Sequence, residues 1–215
     1  MFKSKSVLSL FLLFAFSTPV QADWEGAFKV TSTGGKNMPE VTGLMRMKKD
    51  KVLLDAKKPT QAATLVNLKA RKAWTLLHSQ KMVMEINLSQ IESYSPVCPA
   101  NDIDACLKKK NFTITGTETA NGHSCTVYET DTNRNGKKTH IKLWKPNDLS
   151  EVPMVKSIVT VKPEQTTETN IENIRTVAQA DSYFTIPKDY HSMGNAEDLL
   201  KSFGKGFSGI KIPGQ

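Results

Sequence analysis

The sequence predicts a mainly β protein, built as a curved antiparallel sheet with two or three short helices. Apolar and polar residues alternate over most of the chain, which is the pattern of half-buried strands. Tight polar turns separate these runs at short intervals, and helical periodicity is confined to a few short segments. We expect one antiparallel β domain over residues 23–194, because the length suits one sizeable core and no composition change marks a second domain.

The central stretch from Ala62 to Ile86 contains the clearest strands. Two polar turns, at 69–72 and 78–81, divide it into three segments rich in Thr, Val, Leu, Trp and Met, residue types that suit a pleated surface. Alternation places Trp74 and Leu76 on one face of the middle strand. In the third strand, Met82, Met84 and Ile86 share a face. The stretch therefore predicts an up-and-down meander.

Further strands are predicted on both sides of the meander. Asn121-Gly122 predicts a hairpin turn, because both residues readily take positive φ. The segment at 183–187 is expected to be extended, and helices are expected at 102–109 and 195–203. The other strands are predicted at 24–33, 41–48, 52–55, from 112 onward, 124–130, 140–144, 154–161 and 166–177.

The first 22 residues have the features of a secretory signal peptide. Lys3 and Lys5 precede an apolar core at 7–16, and small residues occupy the cleavage region that ends at Ala22. The apolar core is too short for a membrane-spanning helix, which needs ~20 residues, and no later segment is long enough. We expect cleavage after Ala22 and a periplasmic or secreted protein without a transmembrane segment. The last part, 195–215, is expected to be a helix followed by a Gly-rich tail.

Three cysteines suggest one disulfide in an oxidising compartment. Cys98 and Cys106 lie close together in an insert at 87–111 that lacks strand character, so a bridge between them is favoured. Cys125 lies within a predicted strand, where a buried free thiol is the simplest interpretation. Pairing of Cys125 with either of the other two remains the alternative.

Motifs that would indicate catalysis or metal binding are not found. There is no C-x-x-C, H-E-x-x-H, G-x-S-x-G or phosphate-binding Gly-Lys-Ser/Thr sequence. The four histidines, His78, His123, His140 and His191, occur singly and without the spacing of metal ligands. We therefore expect no catalytic residues, metal or cofactor. Nucleic acid is not expected as a partner, since the basic residues lack interleaved aromatic residues.

Charge and large apolar side chains leave two interpretations open. The formal charge of +8 falls to +6 without Lys3 and Lys5, and the lysines serve either solubility or attraction to anionic lipid headgroups. The large adaptable side chains form either an ordinary core or the lining of a site for an apolar ligand. The candidate lining residues are Met45, Met47, Trp74, Leu76, Met82, Met84 and Trp144.

Two patterns resemble a family of uncharacterised bacterial exported proteins related to the LolA/LolB/LppX superfamily of periplasmic lipoprotein carriers. They are G-T-E-x-x-x-G-x-x-C-x-V-Y at 116–128 and F-x-I-P-x-x-Y at 184–190. The resemblance implies a half-open, LolA-like β-barrel whose concave face is covered by helices over an apolar cavity. It also implies binding of acyl chains or lipidated partners without catalytic residues.

The expected function is that of an exported soluble protein that binds an apolar or lipidic ligand, in the manner of a lipid or lipoprotein carrier or sensor. The expected partners are such a ligand or a lipidated protein, with peripheral contact to a membrane. A structural or protein-interaction module of the cell envelope is the first alternative. An enzyme with an unrecognised site is the second.

Overall fold

The computed structural model describes residues 23–34, 38–88, 98, 102–134, 137–161 and 165–195. In these residues twelve strands form a single open sheet, which confirms the predicted mainly β fold class. The strands are β1 Trp24–Thr33, β2 Val41–Lys48, β3 Lys51–Lys58, β4 Ala62–Asn67, β5 Lys72–Leu77, β6 Met82–Ile86, β7 Thr113–Ala120, β8 His123–Arg134, β9 Lys137–Pro146, β10 Lys156–Val161, β11 Gln165–Thr176 and β12 His191–Asn195.

The order across the sheet is β12-β6-β5-β4-β3-β2-β1-β11-β10-β9-β8-β7. Strands that follow one another along the chain are mostly neighbours in the sheet, as expected for hairpins. The two halves of the chain meet where β1 pairs with β11 in antiparallel register, with Phe28 opposite Ile171. All pairs are antiparallel except β12, which runs parallel to β6 at one edge. The sequence did not predict β12, because its side chains are mostly exposed and show no apolar alternation.

Most predicted strand positions agree with the structure. β1 and β2 have the predicted bounds, and the three strands of the meander are present. The Asn121-Gly122 turn has the expected positive φ angles of 49° and 84°. β3 continues to Lys58, beyond the predicted end at residue 55, because β2 keeps pairing with it as far as the Thr42–Lys58 partners.

The expected extended segment at 183–187 is wrong at its start, where Asp181–Phe184 forms a 3₁₀ turn. This turn directs Phe184 into an apolar cluster with Leu53 and Leu65. The described residues contain one α-helix, α1 (Ile103–Lys109), and a second 3₁₀ turn at His78–Gln80. Asn195 ends β12, and the rest of the predicted helix at 195–203, the tail and the signal peptide lie outside the described residues.

The register defines two faces of the sheet, because directly opposite residues of paired strands point the same way. One row on the inner face runs through Trp24, Met47, Val52, Val66 and Ala73. These residues are buried and belong to the largest apolar cluster. The outer face of the same strands carries a separate cluster, formed by Leu53, Ala63, Leu65, Leu76, Val83 and Phe184.

Helix α1 packs on the inner face of the other half of the sheet. Its buried residues Ile103 and Leu107 are four apart, so they project from one side of the helix. They share an apolar cluster with Tyr128, Ile141, Leu143 and Val159. A disulfide joins Cys98 to Cys106 of this helix, as predicted. Cys125 is free and fully buried, and burial raises the pKa of its thiol.

The segment before β12 covers the outer face of the meander. Phe184 is buried there, and Ile186 and Tyr190 pack against the same cluster. The Tyr190 hydroxyl lies 2.6 Å from His78 Nδ1, which links this segment to the turn between β5 and β6. Helix α1 and the connection between β9 and β10 pack against the inner face.

Candidate functional site

An apolar cavity of about 110 Å³ lies between the inner face of the sheet and helix α1. Strands from both halves of the sheet form its floor, α1 and Cys98 lie on one side, and the β9–β10 connection lies on another. The lining residues are Phe28, Met45, Met47, Val52, Leu54, Val66, Cys98, Ile103, Leu107, Leu143, Pro153, Met154, Thr169 and Ile171.

The chemistry of the lining is that of a binding site for apolar groups. Thr169 is the sole lining residue with a polar side chain, and no lining residue carries a charge. An apolar cavity of comparable size in a protein stays dry and accepts a small hydrocarbon. Met45, Met47 and Met154 contribute flexible thioethers, which adapt to ligands of different shape. Apart from the Thr169 hydroxyl, the lining has no side chain of a type that acts as a nucleophile or a general acid or base, since Cys98 is held in the disulfide.

Alternation along β1 and β2 positions three of the floor side chains. Met45 and Met47 are two apart on β2 and both point to the inner face. Phe28 faces Gly43 across the β1–β2 pair. A Cβ at residue 43 would lie 2.8 Å from Phe28 Cε1 and 2.2 Å from the Asp55 carbonyl oxygen, so only glycine leaves room for this ring. The glycine therefore makes room on β2 for the Phe28 ring.

Polar contacts at its exposed side hold α1 over the cavity. The Tyr128 hydroxyl donates to Asp104 Oδ1 at 2.7 Å, and Lys145 Nζ donates to both Asp104 oxygens at 2.8 Å. Burial and the hydrogen bond to Asp104 raise the pKa of Tyr128 to about 12. Burial alone would raise the pKa of Asp104, but hydrogen bonds from Lys145 and Tyr128 lower it. Together with the disulfide, these contacts fix the helix at both of its sides.

Of the seven lining residues proposed from the sequence, some line the cavity and the others lie elsewhere in the structure. Met45 and Met47 line the cavity. Met82 and Met84 lie on the same inner face but are not part of the lining. Met84 belongs to the row of paired residues that passes through Thr75 and Leu54 to Met45.

Trp74 and Leu76 point to the outer face, where Leu76 is buried and Trp74 packs beside the same cluster. Alternation excludes them from the cavity, because Ala73 between β4 and β6 takes the inner position.

Trp144 is likewise outside the cavity, since its neighbour Leu143 takes the inner position on β9. Trp144 Nε1 donates to Glu118 Oε2 at 2.8 Å. Lys142 Nζ lies 4.8 Å and Lys156 Nζ 5.4 Å from the centre of a Trp144 ring. Hydrogen bonds from Lys142 and Trp144 lower the pKa of Glu118. Trp144 therefore makes these polar contacts on the other face of the sheet, and it is buried in the largest apolar cluster.

Several lining residues were not among those proposed from the sequence. Phe28 could have been proposed from the sequence, because it is one of the alternating apolar residues of β1. Ile103 and Leu107 had helical spacing, but their position over β9 depends on the tertiary fold. Pro153, Met154 and Thr169 gave no signal, because they come from a connection and from the middle of a strand with little apolar character.

The described residues contain neither a metal-binding cluster nor a membrane-spanning helix. No group of three or more His, Cys, Asp or Glu residues in these parts of the chain has the arrangement to hold a metal ion. Of the helices found there, none has the length and apolar character needed to cross a membrane.

Solved structures show similarity at low sequence identity. A LolA superfamily protein from Nitrosomonas europaea is 11% identical, with a TM-score of 0.46, over 77% of this chain and 90% of that chain. The lipoprotein LppX from Mycobacterium tuberculosis is 14% identical, with a TM-score of 0.39, over 73% of this chain and 89% of that chain. PNGF-II is 17% identical, with a TM-score of 0.47, over 86% of this chain, which spans only 34% of the PNGF-II chain.

A sequence-family model identifies the group to which the protein belongs. No curated protein matches the chain significantly. The model described as "Domain of unknown function (DUF4412)" matches residues 29–168, which include most of the strands and the helix over the cavity. This match confirms the expected membership in a family of uncharacterised proteins. The chain belongs to the DUF4412 family.

Proposed function

We propose that this protein binds an apolar or lipidic ligand in the cavity between α1 and the inner face of the sheet, and performs no chemistry on it. The observation that carries the proposal is the lining itself. Its fourteen residues come from both halves of the sheet, from Cys98 and helix α1, and from the β9–β10 connection; one of them has a polar side chain and none is charged. A buried surface of this kind attracts hydrocarbon by the hydrophobic effect and offers no catalytic group.

The size of the cavity limits what it holds in this conformation. At about 110 Å³ it is smaller than the ~300–1,000 Å³ typical of sites for drug-sized ligands. A ring or the end of an acyl chain fits, whereas a longer chain requires displacement of the cover.

The proposed setting is the cell envelope. The N-terminal segment has the composition of a secretory signal peptide. In an aqueous compartment between membranes, an acyl chain needs an apolar site to travel or to be sensed. The sequence resemblance to the LolA/LolB/LppX superfamily implies the same ligand class. We therefore propose a carrier or sensor of a lipid or a lipidated protein.

Two adjacent residues of β4 provide a matched test. Val66 and Leu65 are 1% and 4% exposed, but Val66 lines the cavity while Leu65 belongs to the outer cluster. Val66→Phe should fill the cavity and weaken binding of a fluorescent fatty acid at least tenfold. Leu65→Phe should overpack the outer face and lower the free energy of unfolding by about 1–3 kcal/mol. It should leave the affinity for the fatty acid unchanged. Equal affinity in both variants and the native protein would contradict the proposal.

Met82 and Met84 test how far the site extends along the inner face. The double variant Met82→Ala, Met84→Ala should lower the affinity for long acyl chains if the bound chain reaches β6. If the two half-buried residues are core only, truncation should cost stability and leave affinity unchanged. Mass spectrometry of lipid extracted from the purified protein would identify the ligand in the first case. A chain that carries no extractable ligand and binds no probe would favour a role as an interaction module.

A further inference from the structure

Two neighbouring turns of the sheet form a basic tip. The turn between β2 and β3 and the turn between β4 and β5 are in contact, since the Leu68 amide donates to the Asp50 carbonyl oxygen at 2.8 Å. The described side chains at this end are exposed or half-buried. The cations that define the basic tip are Lys49, Lys51, Lys69, Arg71 and Lys72.

Two of these residues have a backbone conformation that is unfavourable for lysine and arginine. Lys49 and Arg71 have φ angles of 53° and 52°, in the left-handed region that glycine and asparagine adopt more easily. Lys81 has a similar φ of 52°, but its ammonium group lies 2.9 Å from Asp189 Oδ2. Lys49 has no such partner within the described residues. A cation kept at a strained position without an ion-pair partner among the described residues indicates a role in contact with another molecule.

Nearby carboxylates neutralise only part of this charge. Lys72 Nζ lies 3.8 Å from Glu85, and the neighbouring Lys48 lies 3.2 Å from Asp181. Asp50 stands within the first turn. Lys51 and Lys69, like Lys49, make no ion pair in the described part of the chain. The tip therefore keeps an excess of positive charge that faces the solvent.

Exposed apolar side chains lie beside the basic tip. Tyr183 and Val177 are 47% and 44% exposed. Lys48 holds their segment at this end of the sheet, because its ammonium group donates to the Gln179 carbonyl oxygen at 2.7 Å. Arg46 stacks on the Tyr183 ring at 4.3 Å. An amphipathic aromatic residue next to cations is the composition that favours the headgroup region of a bilayer.

We propose that the basic tip docks on the surface of a bilayer that contains anionic lipids. Cations of this kind are attracted to such a surface within about one Debye length, ~8–10 Å at moderate salt, and Tyr183 and Val177 enter the headgroup region. Val52, which lines the cavity, follows Lys51 directly in β3. If the proposed function is also correct, docking brings the cavity close to the source of its ligand.

The test compares two triple variants with the same change in charge. The tip variant, Lys49→Asn, Lys51→Gln, Lys69→Gln, removes the three cations of the basic tip that make no ion pair in the described part of the chain, with asparagine chosen for the left-handed position of Lys49. The control variant removes three exposed cations at the end of the sheet away from the basic tip, by Lys58→Gln, Lys137→Gln and Lys138→Gln. Flotation of the mature protein measures binding to vesicles of phosphatidylcholine alone and of phosphatidylcholine with 30% phosphatidylglycerol, at low and high salt.

The native protein should float with the anionic vesicles at low salt, and less at high salt or with neutral vesicles. Each Lys or Arg held near an anionic surface strengthens binding roughly fivefold, so the tip variant should lose on the order of a hundredfold. The control variant should lose much less. Similar losses in both variants, or no binding of the native protein, would overturn the proposal and leave an acidic protein surface as the partner to examine.

A double variant and a measurement of fatty-acid binding separate the loss of charge from changes in the turns and in the cavity. Lys69→Gln, Lys72→Gln leaves both left-handed positions intact and should weaken vesicle binding roughly twenty-fivefold. Fatty-acid binding to the cavity in solution should be unchanged in all tip variants, because no residue of the basic tip lines the cavity. Failure of vesicle docking is thereby separated from failure of ligand binding.

Discussion

Truncation of Leu107 gives the sharpest test of the cavity. This side chain is 2% exposed, lines the cavity and packs against the sheet from helix α1. Its replacement by Ala leaves helix propensity intact, so the cost comes from lost burial and an enlarged void. Because the void joins an existing cavity and cannot close easily, we expect a loss of about 3 kcal/mol. For a chain of this size the melting temperature should fall by roughly 6–12 °C.

A small hydrocarbon should restore much of this loss. Benzene present at a hundred times its dissociation constant would return about 2.7 kcal/mol, because it binds the folded state alone. Differential scanning calorimetry with and without benzene measures both effects. Leu65→Ala is the matched control, since Leu65 is 4% exposed and lies in the cluster on the outer face. Leu65→Ala should be destabilised similarly, but benzene should stabilise it no more than it stabilises the native protein.

The two variants together decide the interpretation. No stabilisation of Leu107→Ala by benzene would mean that the ligand does not enter the space beside α1. A loss below about 1 kcal/mol in Leu107→Ala would mean that the helix does not pack on the sheet as described. Either result would contradict the proposal that the apolar lining binds a ligand.

Three further predictions concern the cover and the turns. Replacing Cys98 and Cys106 by Ala should cost about 2–3 kcal/mol, as expected for an eight-residue separation, measured by urea unfolding. The pKa of Tyr128 is raised to about 12, so the native protein should lose about 2–3 kcal/mol between pH 10 and pH 12, where only the unfolded chain releases the proton. Tyr128→Phe should lack this loss. Lys49→Asn should stabilise the fold by up to about 1 kcal/mol, by relieving the left-handed backbone.

Each of these has a clear contrary outcome. Unchanged urea midpoints after removal of both cysteines would show that the disulfide does not stabilise the fold. Parallel alkaline profiles of the native protein and Tyr128→Phe would show that the hydroxyl titrates normally. A destabilised Lys49→Asn variant would mean that the lysine itself stabilises the turn, which would weaken the argument for an external role of this cation.

Local pattern was enough to predict much of the sheet. Alternation gives the bounds of β1 and β2 because each strand has one buried face, and a shift of one residue would turn every side chain around. The Asn121-Gly122 turn follows from the backbone freedom of those two residues. The link between Cys98 and Cys106 was predictable from their proximity in a segment without strand character. Each of these features depends on neighbours in the sequence.

The site depended on information that is not local. Alternation shows that Met45 and Met47 share a face, and that Trp74 and Leu76 share another, but it does not tell which face will be the inner one. That choice is made when β1 pairs with β11 and α1 packs across β8, β9 and β10, contacts that join residues far apart in the chain. Local sequence patterns thus predict most of the strands, the Asn121-Gly122 turn, the favoured disulfide and the apolar content of the protein. Which apolar side chains enclose the cavity depends on long-range packing, because a cavity forms only where surfaces from distant parts of the chain come together.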